Sequence, residues 1–279
     1  MKFAAVGDNC IDWYYLQGES YIGGCSLNVS VYLKQLGGDS AYVSAVGNDS
    51  NGTLIREGLM ERGIDISHLH VLPGKTAVTK IELVDNDRTF RGYDEGVLAG
   101  PFITEEDLAF IRSCDYMHTS VYGNCQSVLP KVKKDVVIGY DFAYKLDHET
   151  VQEVLQHIHY GFFSYEKDDA FIRSFLKEKW ASAGPDLRLL VATLGSEGSL
   201  AYDGSFYKHE IEPVKPVDTM GAGDSFIAGF LYGIASGLDY RAAMRAGSEK
   251  ARETVLVKGA FGPVGHGDRN HGRFTSPES

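Results

Sequence analysis

Gly221, Ala222, Gly223 and Asp224 put three residues with almost no side chain directly ahead of a carboxylate. Behind them Phe226, Ile227, Phe230, Leu231 and Ile234 recur at helical spacing, so the four residues read as a helix start. The first amides of a helix lack intrahelical acceptors and carry the positive end of its dipole. With no side chain in the way, a phosphate can reach those amides directly. Such a turn can hold the charge spread over a phosphoryl group in transfer, while Asp224 takes the proton of an attacking hydroxyl. The alternative is structural: a tight turn with Asp224 as helix N-cap. No Gly-Lys-Ser/Thr follows, which excludes a Walker A loop, and a position so late in the chain is wrong for a dinucleotide fingerprint.

The elements that must position this turn alternate between strand and helix. Residues 3–6 read as a strand closed by Gly7, and residues 41–46 as the next. Helical patterns follow Gly23-Gly24 (Val29, Tyr32, Leu33, Leu36) and fill residues 53–62. Alternation of this kind implies a parallel sheet with crossover helices. Two segments break the rhythm. Residues 13–22 are aromatic around a Gly-Glu-Ser turn, and residues 76–84 alternate apolar and polar before Asp85-Asn86-Asp87 turns the chain back through 88–93. Both read as hairpins, and together (about 13–22 and 75–97) they are expected to form a small sheet apart from the main core, a natural lid. The alternation then resumes. A helix starts at Thr104, strands are expected at 116–120, 136–140, 160–164 and 187–193, and helices at 151–158 and 170–180. A hairpin turns at Asp203-Gly204, and two helices span about 223–236 and 239–255.

Composition narrows the classes. A chain of 279 residues suits one large α/β domain, taken as residues 1–261. Residues 262–279, polar and rich in Gly, Pro, Ser and His, are expected to be disordered, and His266 and His271 there make a poor metal-ligand set. The 38 acidic against 27 basic residues, net −11, argue against nucleic acid or an anionic membrane as partner. No apolar run reaches the length of a transmembrane helix. The four cysteines, Cys10, Cys25, Cys114 and Cys125, lack a metal-type spacing and fit a reduced, cytoplasmic setting.

Taken together, these motifs resemble the ribokinase-like, or PfkB, carbohydrate kinases. Residues 218–229 (DTMGAGDSFIAG) look like the C-terminal family signature, residues 23–37 and 46–52 like the N-terminal one, and residues 193–198 (TLGSEG) like a strand-to-loop motif that contacts nucleotide phosphates. The resemblance implies a ribokinase-like α/β fold: a central, mostly parallel sheet flanked by helices, with a β-lid over the sugar. It also implies ATP and Mg²⁺ as cofactors, with K⁺ as a frequent activator. Carried across by motif, Asp224 is the catalytic base, and Gly221, Ala222 and Gly223 form the anion hole. Asp12, Gly23, Gly24 and Asn28 bind the acceptor, while Thr193, Gly195 and Gly198 join Gly223 on the nucleotide. Asp218 and Met220 border a K⁺ site. Many members carry Asn-x-x-Glu after a mid-chain strand to organise Mg²⁺ through water. Here Ser164 and Lys167 occupy those places, leaving Glu166 or Asp168 as substitutes.

Within the family, residues 7–12, 65–70, 85–90, 93–97 and 141–142 look like the fructosamine-kinase subgroup, whose acceptor is fructoselysine or a related Amadori compound and whose product is the 6-phosphate. Such an acceptor has hydroxyls, a secondary amine and an amino-acid tail. Glu95, Asp94, Asp87 and Glu82 are carboxylates for the amine, and Arg88 or Arg91 for the tail carboxylate. The competing reading of these charges is a solvated strand edge that resists pairing. Trp13, Tyr14, Tyr15 and Tyr21 close over the sugar, or else pack the lid or a homodimer contact. Two rival functions stay open: a kinase of the same family for fructose, ribose or a nucleoside, and a non-catalytic sugar-binding regulator on the same fold.

Overall fold

The computed structural model describes residues 1–84 and 87–261, without the side chains of residues 83–88. The expectations for the 262–279 tail, for the Asp85-Asn86 turn and for the Asp87 and Arg88 side chains therefore lie outside the described residues.

In chain order the strands and helices begin with β1 (Lys2–Val6), β2 (Cys10–Tyr14), β3 (Glu19–Gly23), α1 (Cys25–Gln35), β4 (Asp39–Gly47) and α2 (Ser50–Glu61). Then come β5 (Leu69–Leu72), β6 (Val78–Val84), β7 (Asp87–Asp94), α3 (Glu105–Arg112), β8 (Tyr116–Ser120) and the single turn α4 (Leu129–Val132). The chain continues with β9 (Val137–Asp141), α5 (Val151–Val154), β10 (Tyr160–Ser164), α6 (Ala170–Ala181), β11 (Leu189–Thr193), β12 (Ser199–Tyr202), β13 (Phe206–His209), α7 (Ala222–Ala235) and α8 (Tyr240–Thr254).

A nine-stranded sheet in the order β13-β12-β11-β10-β9-β8-β1-β4-β5 forms the centre. From β11 to β5 every neighbouring pair is parallel, and only β12 and β13 run antiparallel at one edge. Parallel strands covered on both faces need apolar side chains both ways. The runs in β1, β10 and β11 meet that demand, with Phe3, Ala4, Ala5, Phe162, Leu190 and Val191 almost wholly buried. One face packs on α7 and α8 through Phe226, Phe230 and Leu231, each worth roughly 2–3 kcal/mol of burial. Helix ends follow capping chemistry: Asp49, Asp169 and Asp239 cap α2, α6 and α8, and Thr104 makes a capping box with Asp107 on α3.

A second sheet, in the order β3-β2-β6-β7, stands apart from the first. The two segments expected as hairpins thus meet, with β2 parallel to β6. This sheet starts at Cys10 rather than residue 13, so Asp12 is itself one of its strand residues. Two other readings needed correction. The helix expected over 151–158 is one turn, because the Gln156 and His157 amides bond three residues back, to Glu153 and Val154, and wind it down. Strand β5 was not foreseen: its four residues pair parallel to β4, and a run that short carries almost no periodicity. Among the described residues no helix is long and apolar enough to cross a membrane.

Candidate active site

The site lies where ligands gather in such sheets, beyond the C-terminal ends of the parallel strands. Asp8 follows β1, Ser120 ends β8, Asp141 ends β9, Ser164 ends β10 and Thr193 ends β11. Helix α7 brings the glycine-rich turn to the same region.

Gly221 is the N-cap of α7, with φ 74° and no side-chain cap. A Cβ there would lie 2.5 Å from the Tyr32 hydroxyl and 2.9 Å from Ala260 Cβ, so both the left-handed backbone and the space demand glycine. At Gly223 a Cβ would meet nothing within 4 Å. The helix start is therefore bare and approachable on that side, as an anion-binding turn must be. The turn is braced from below: Asp218 accepts the Met220 amide on Oδ1 and the Gly259 amide on Oδ2, each at 2.9 Å, and Tyr32 donates to the Ala260 carbonyl.

Asp224 lies within the first turn, past the cap, and its side chain does not cap the helix. It is 8% exposed, and its Oδ2 accepts a hydrogen bond from Asn28 Nδ2 at 2.8 Å. That bond joins residues 196 apart in sequence and ties α7 to α1. Burial pushes the Asp224 carboxyl well above its usual range, the Asp141 charge adds to this, and the Asn28 bond opposes it. Asp141 is pushed up to about 7 by burial, against the pull of the Ala143 amide. One donor atom each from Cys25, Asp141 and Asp224 lies within 4.8 Å of the others.

The residues expected on the acceptor side come from α1 and the small sheet. Asp12 on β2 is 6% exposed, and Cys10 Sγ donates to its Oδ1 at 3.3 Å. Gly23, paired with Cys10 on β2, lies diagonal to it, and a Cβ at that position would overlap the Asp12 carboxylate. Gly24 is the N-cap of α1 and offers no side chain to the helix end. Asp8 supplies that cap instead: its carboxylate accepts the Cys25 amide at 2.6 Å, the Ser26 amide at 3.2 Å, the Ser26 hydroxyl at 2.8 Å and the Ser120 hydroxyl at 2.9 Å. Asn28 Oδ1 is buried and finds no hydrogen-bond partner among the described residues. An orphaned buried acceptor beside two buried carboxylates is what a polyhydroxyl ligand would satisfy.

Asp224, Asn28 and Asp141 therefore come together, with Asp8 and Asp12 close by along β1 and β2. The nucleotide-side candidates form a separate group. Thr193 Oγ1 lies 3.4 Å from Ser164 Oγ, Gly195 opens a short 3-10 turn with nothing near its Cβ position, and Gly198 closes that turn. The bare amides of α7 and this open turn fit the phosphates of a nucleotide. For Mg²⁺, Glu166 is exposed and free to act through water. Asp168 is paired within the protein: Arg173 grips both its oxygens at 2.6 and 2.7 Å, Lys208 sits 3.1 Å away, and the ion pairs hold its carboxyl below the usual range. In the small sheet Arg91 pairs with Glu82, and Asp94 Oδ1 accepts the Gly96 amide, so these charges serve the sheet itself. Glu95 is half-buried on the turn after β7.

Asp8 and Asp141 were not assigned a role from sequence. Each is an acid directly after, or at the end of, a buried apolar strand, and that position was the available signal.

The pfkB family carbohydrate kinase model matches residues 14–264. The chain is similar to the fructoselysine 6-kinase of Escherichia coli (strain K12), 37% identical over 92% of this chain and 98% of that one. It is also similar to the fructosamine kinase FrlD of Bacillus subtilis (strain 168), 32% identical over 94% and 93%. Among solved structures, the ribokinase of Arabidopsis thaliana complexed with ribose and ATP covers 93% of each chain with a TM-score of 0.79 and 20% identity. The fructokinase of Vibrio cholerae O395 in its fructose, ADP and calcium form matches with a TM-score of 0.72 over 93% and 94%, at 22% identity. These structures establish the ribokinase-like fold.

Proposed function

The chain belongs to the pfkB family of carbohydrate kinases and is an ATP-dependent phosphotransferase, and from that premise we propose that it phosphorylates the 6-hydroxyl of fructoselysine or a related Amadori compound, with Asp224 as general base. The observation that carries this reading is the Asn28–Asp224 bond, which couples the acceptor side to the helix start that faces the phosphates. The names of the relatives that match nearly the whole chain support the acceptor class.

Bound ATP supplies the phosphoryl group, with Mg²⁺ neutralising its charge. Gly221, Ala222 and Gly223 present amides to the negative charge that moves during transfer. Asp224 accepts the proton of the acceptor hydroxyl. Asn28 holds Asp224 in place and offers its free Oδ1 to a sugar hydroxyl. Asp12, made accessible by the missing side chain of Gly23, accepts from further hydroxyls. Thr193, Gly195 and Gly198 line the nucleotide side, and the exposed Glu166 would help hold Mg²⁺ through water. Glu95 is the carboxylate assigned to the amine of the acceptor, and Arg88, whose side chain lies outside the described residues, is the cation assigned to its carboxylate. Asp218 and Met220 would border a K⁺ site, were that ion bound. The outer face of the small sheet, where Phe90 is 61% exposed, serves as a homodimer contact. Four free cysteines suit a reducing, cytoplasmic setting.

The test is a panel of acceptors under equal conditions: fructoselysine, glucoselysine, fructose, ribose and a nucleoside, read by ADP release. The highest kcat/KM is expected for an Amadori compound. A higher value for fructose, ribose or the nucleoside would overturn the acceptor assignment, and no turnover with any would overturn the kinase.

A further inference from the structure

Asp141 has no role in the reading above, yet its setting is unusual. It ends β9, is 6% exposed, and lies with Asp224 and Cys25 inside a 4.8 Å cluster of donor atoms. The chain leaves β9 through a strained turn. Ala143 has φ 50°, one of two non-glycine residues with positive φ among the described residues. Its amide donates to Asp141 Oδ1 at 2.7 Å, and its carbonyl accepts the Ser164 amide at 2.7 Å. Left-handed alanine is unfavourable and persists where its surroundings hold it in place. Here it grips one carboxylate oxygen and leaves Oδ2 uncommitted among the described residues. A turn that only needed to end a strand would not require a buried acid beside a second buried acid.

Two buried carboxylates this close raise each other's affinity for a proton and titrate as a coupled pair. The groups facing the pair are Asp8 after β1, Cys25 and Tyr32 on α1 and Tyr122 after β8. Asn28 and Cys25 oppose the rise at Asp224 through hydrogen bonds.

We propose that Asp141 is a positioning residue that acts through Asp224: its buried negative charge keeps the neighbouring carboxylate ready to take the proton of the acceptor hydroxyl. In the step itself the O–H bond breaks and its proton goes to Asp224. The electron pair stays on the acceptor oxygen, which bonds to phosphorus as the bond to the departing ADP oxygen breaks. A carboxylate of ordinary acidity is a weak base for an alcohol, and a like charge beside it makes it stronger. The inference rests on Asp224 being the base.

The experiment is the pH profile of kcat/KM for wild type and Asp141→Asn. Removing the charge lowers the proton affinity of Asp224, so its ionised form persists to lower pH. The acidic limb of Asp141→Asn should move down by about one pH unit or more, with the plateau rate falling roughly tenfold and KM for ATP unchanged. Asp141→Glu, which keeps the charge, should keep the limb within a few tenths of a unit of wild type. An unmoved limb in Asp141→Asn, whatever its rate, would show a merely structural role and overturn the inference. Should Asp141→Asn fail to fold, ¹³C-carboxyl NMR titration of the wild type decides: Asp224 titrating in coupled steps supports the pair, and a single step near pH 4 sinks it. The reading of Asp224 fails separately, if Asp224→Ala retains activity.

Discussion

The two halves of the site are made of different materials. The phosphate side is backbone: the amides at the start of α7 and the open turn after β11, with residues chosen for having little or no side chain. The proposed acceptor side is side chain: Asp12, Asn28 and Asp224, delivered by β2, α1 and α7. A backbone site needs one contiguous stretch with the right dihedrals, and it serves any phosphate. A side-chain site needs distant elements to converge, and its selectivity resides in which groups converge. The reaction type is therefore carried by two short stretches, near 193–198 and 218–229, and the acceptor by side chains spread from 12 to 224.

Substitutions can break this division, and the largest effect belongs to the residue that joins the halves. Asp224→Ala should lower kcat by roughly 10²–10⁴ while both substrates still bind, as initial rates and calorimetry would show. Next, Gly221→Val should impair the phosphate side alone. The left-handed φ and the Tyr32 hydroxyl 2.5 Å from the Cβ position push the helix start out of place. A loss of about 10–100-fold in kcat/KM for ATP is expected, alongside a lower melting temperature. On the other side, Asp12→Asn should cost the acceptor about 10–100-fold in kcat/KM, the worth of a charged hydrogen bond, with KM for ATP unchanged. Gly23→Ala should do the same more weakly by displacing the Asp12 carboxylate. Equal effects of Asp12→Asn on both substrates would erase the division. The smallest effect is Arg91→Ala: its exposed pairing with Glu82 is worth at most about 1 kcal/mol of stability, and KM for the acceptor should change less than about twofold. A tenfold rise would instead return Arg91 to the substrate.

The same contrast explains what could be read in the sequence. The α7 turn was legible because its glycines, its aspartate and the apolar stripe behind it are neighbours in the chain. Strand 160–164 was legible because a buried parallel strand is a short, largely apolar run bounded by polar residues. Asp12 and Asn28 came through motif resemblance, and Asp8 and Asp141 were passed over. The end of a buried apolar strand is the local signal for Asp8, but its task, capping a helix 17 residues away, is set by tertiary contact. Asp168 shows what spacing leaves out: it stands beside a metal motif, yet Arg173 and Lys208 pair with it, and Lys208 comes from β13. Charge partners set by tertiary packing decide which acids are available, and spacing does not record them.

The most direct test is the identity of the product. Wild-type enzyme, ATP, Mg²⁺ and ¹³C-labelled fructoselysine should yield, by ³¹P and ¹³C NMR, one phosphomonoester coupled to C6, in equal amount to the ADP formed. Phosphate on another carbon, or ADP release without any phosphorylated sugar, would contradict the placing of the acceptor's 6-hydroxyl at Asp224.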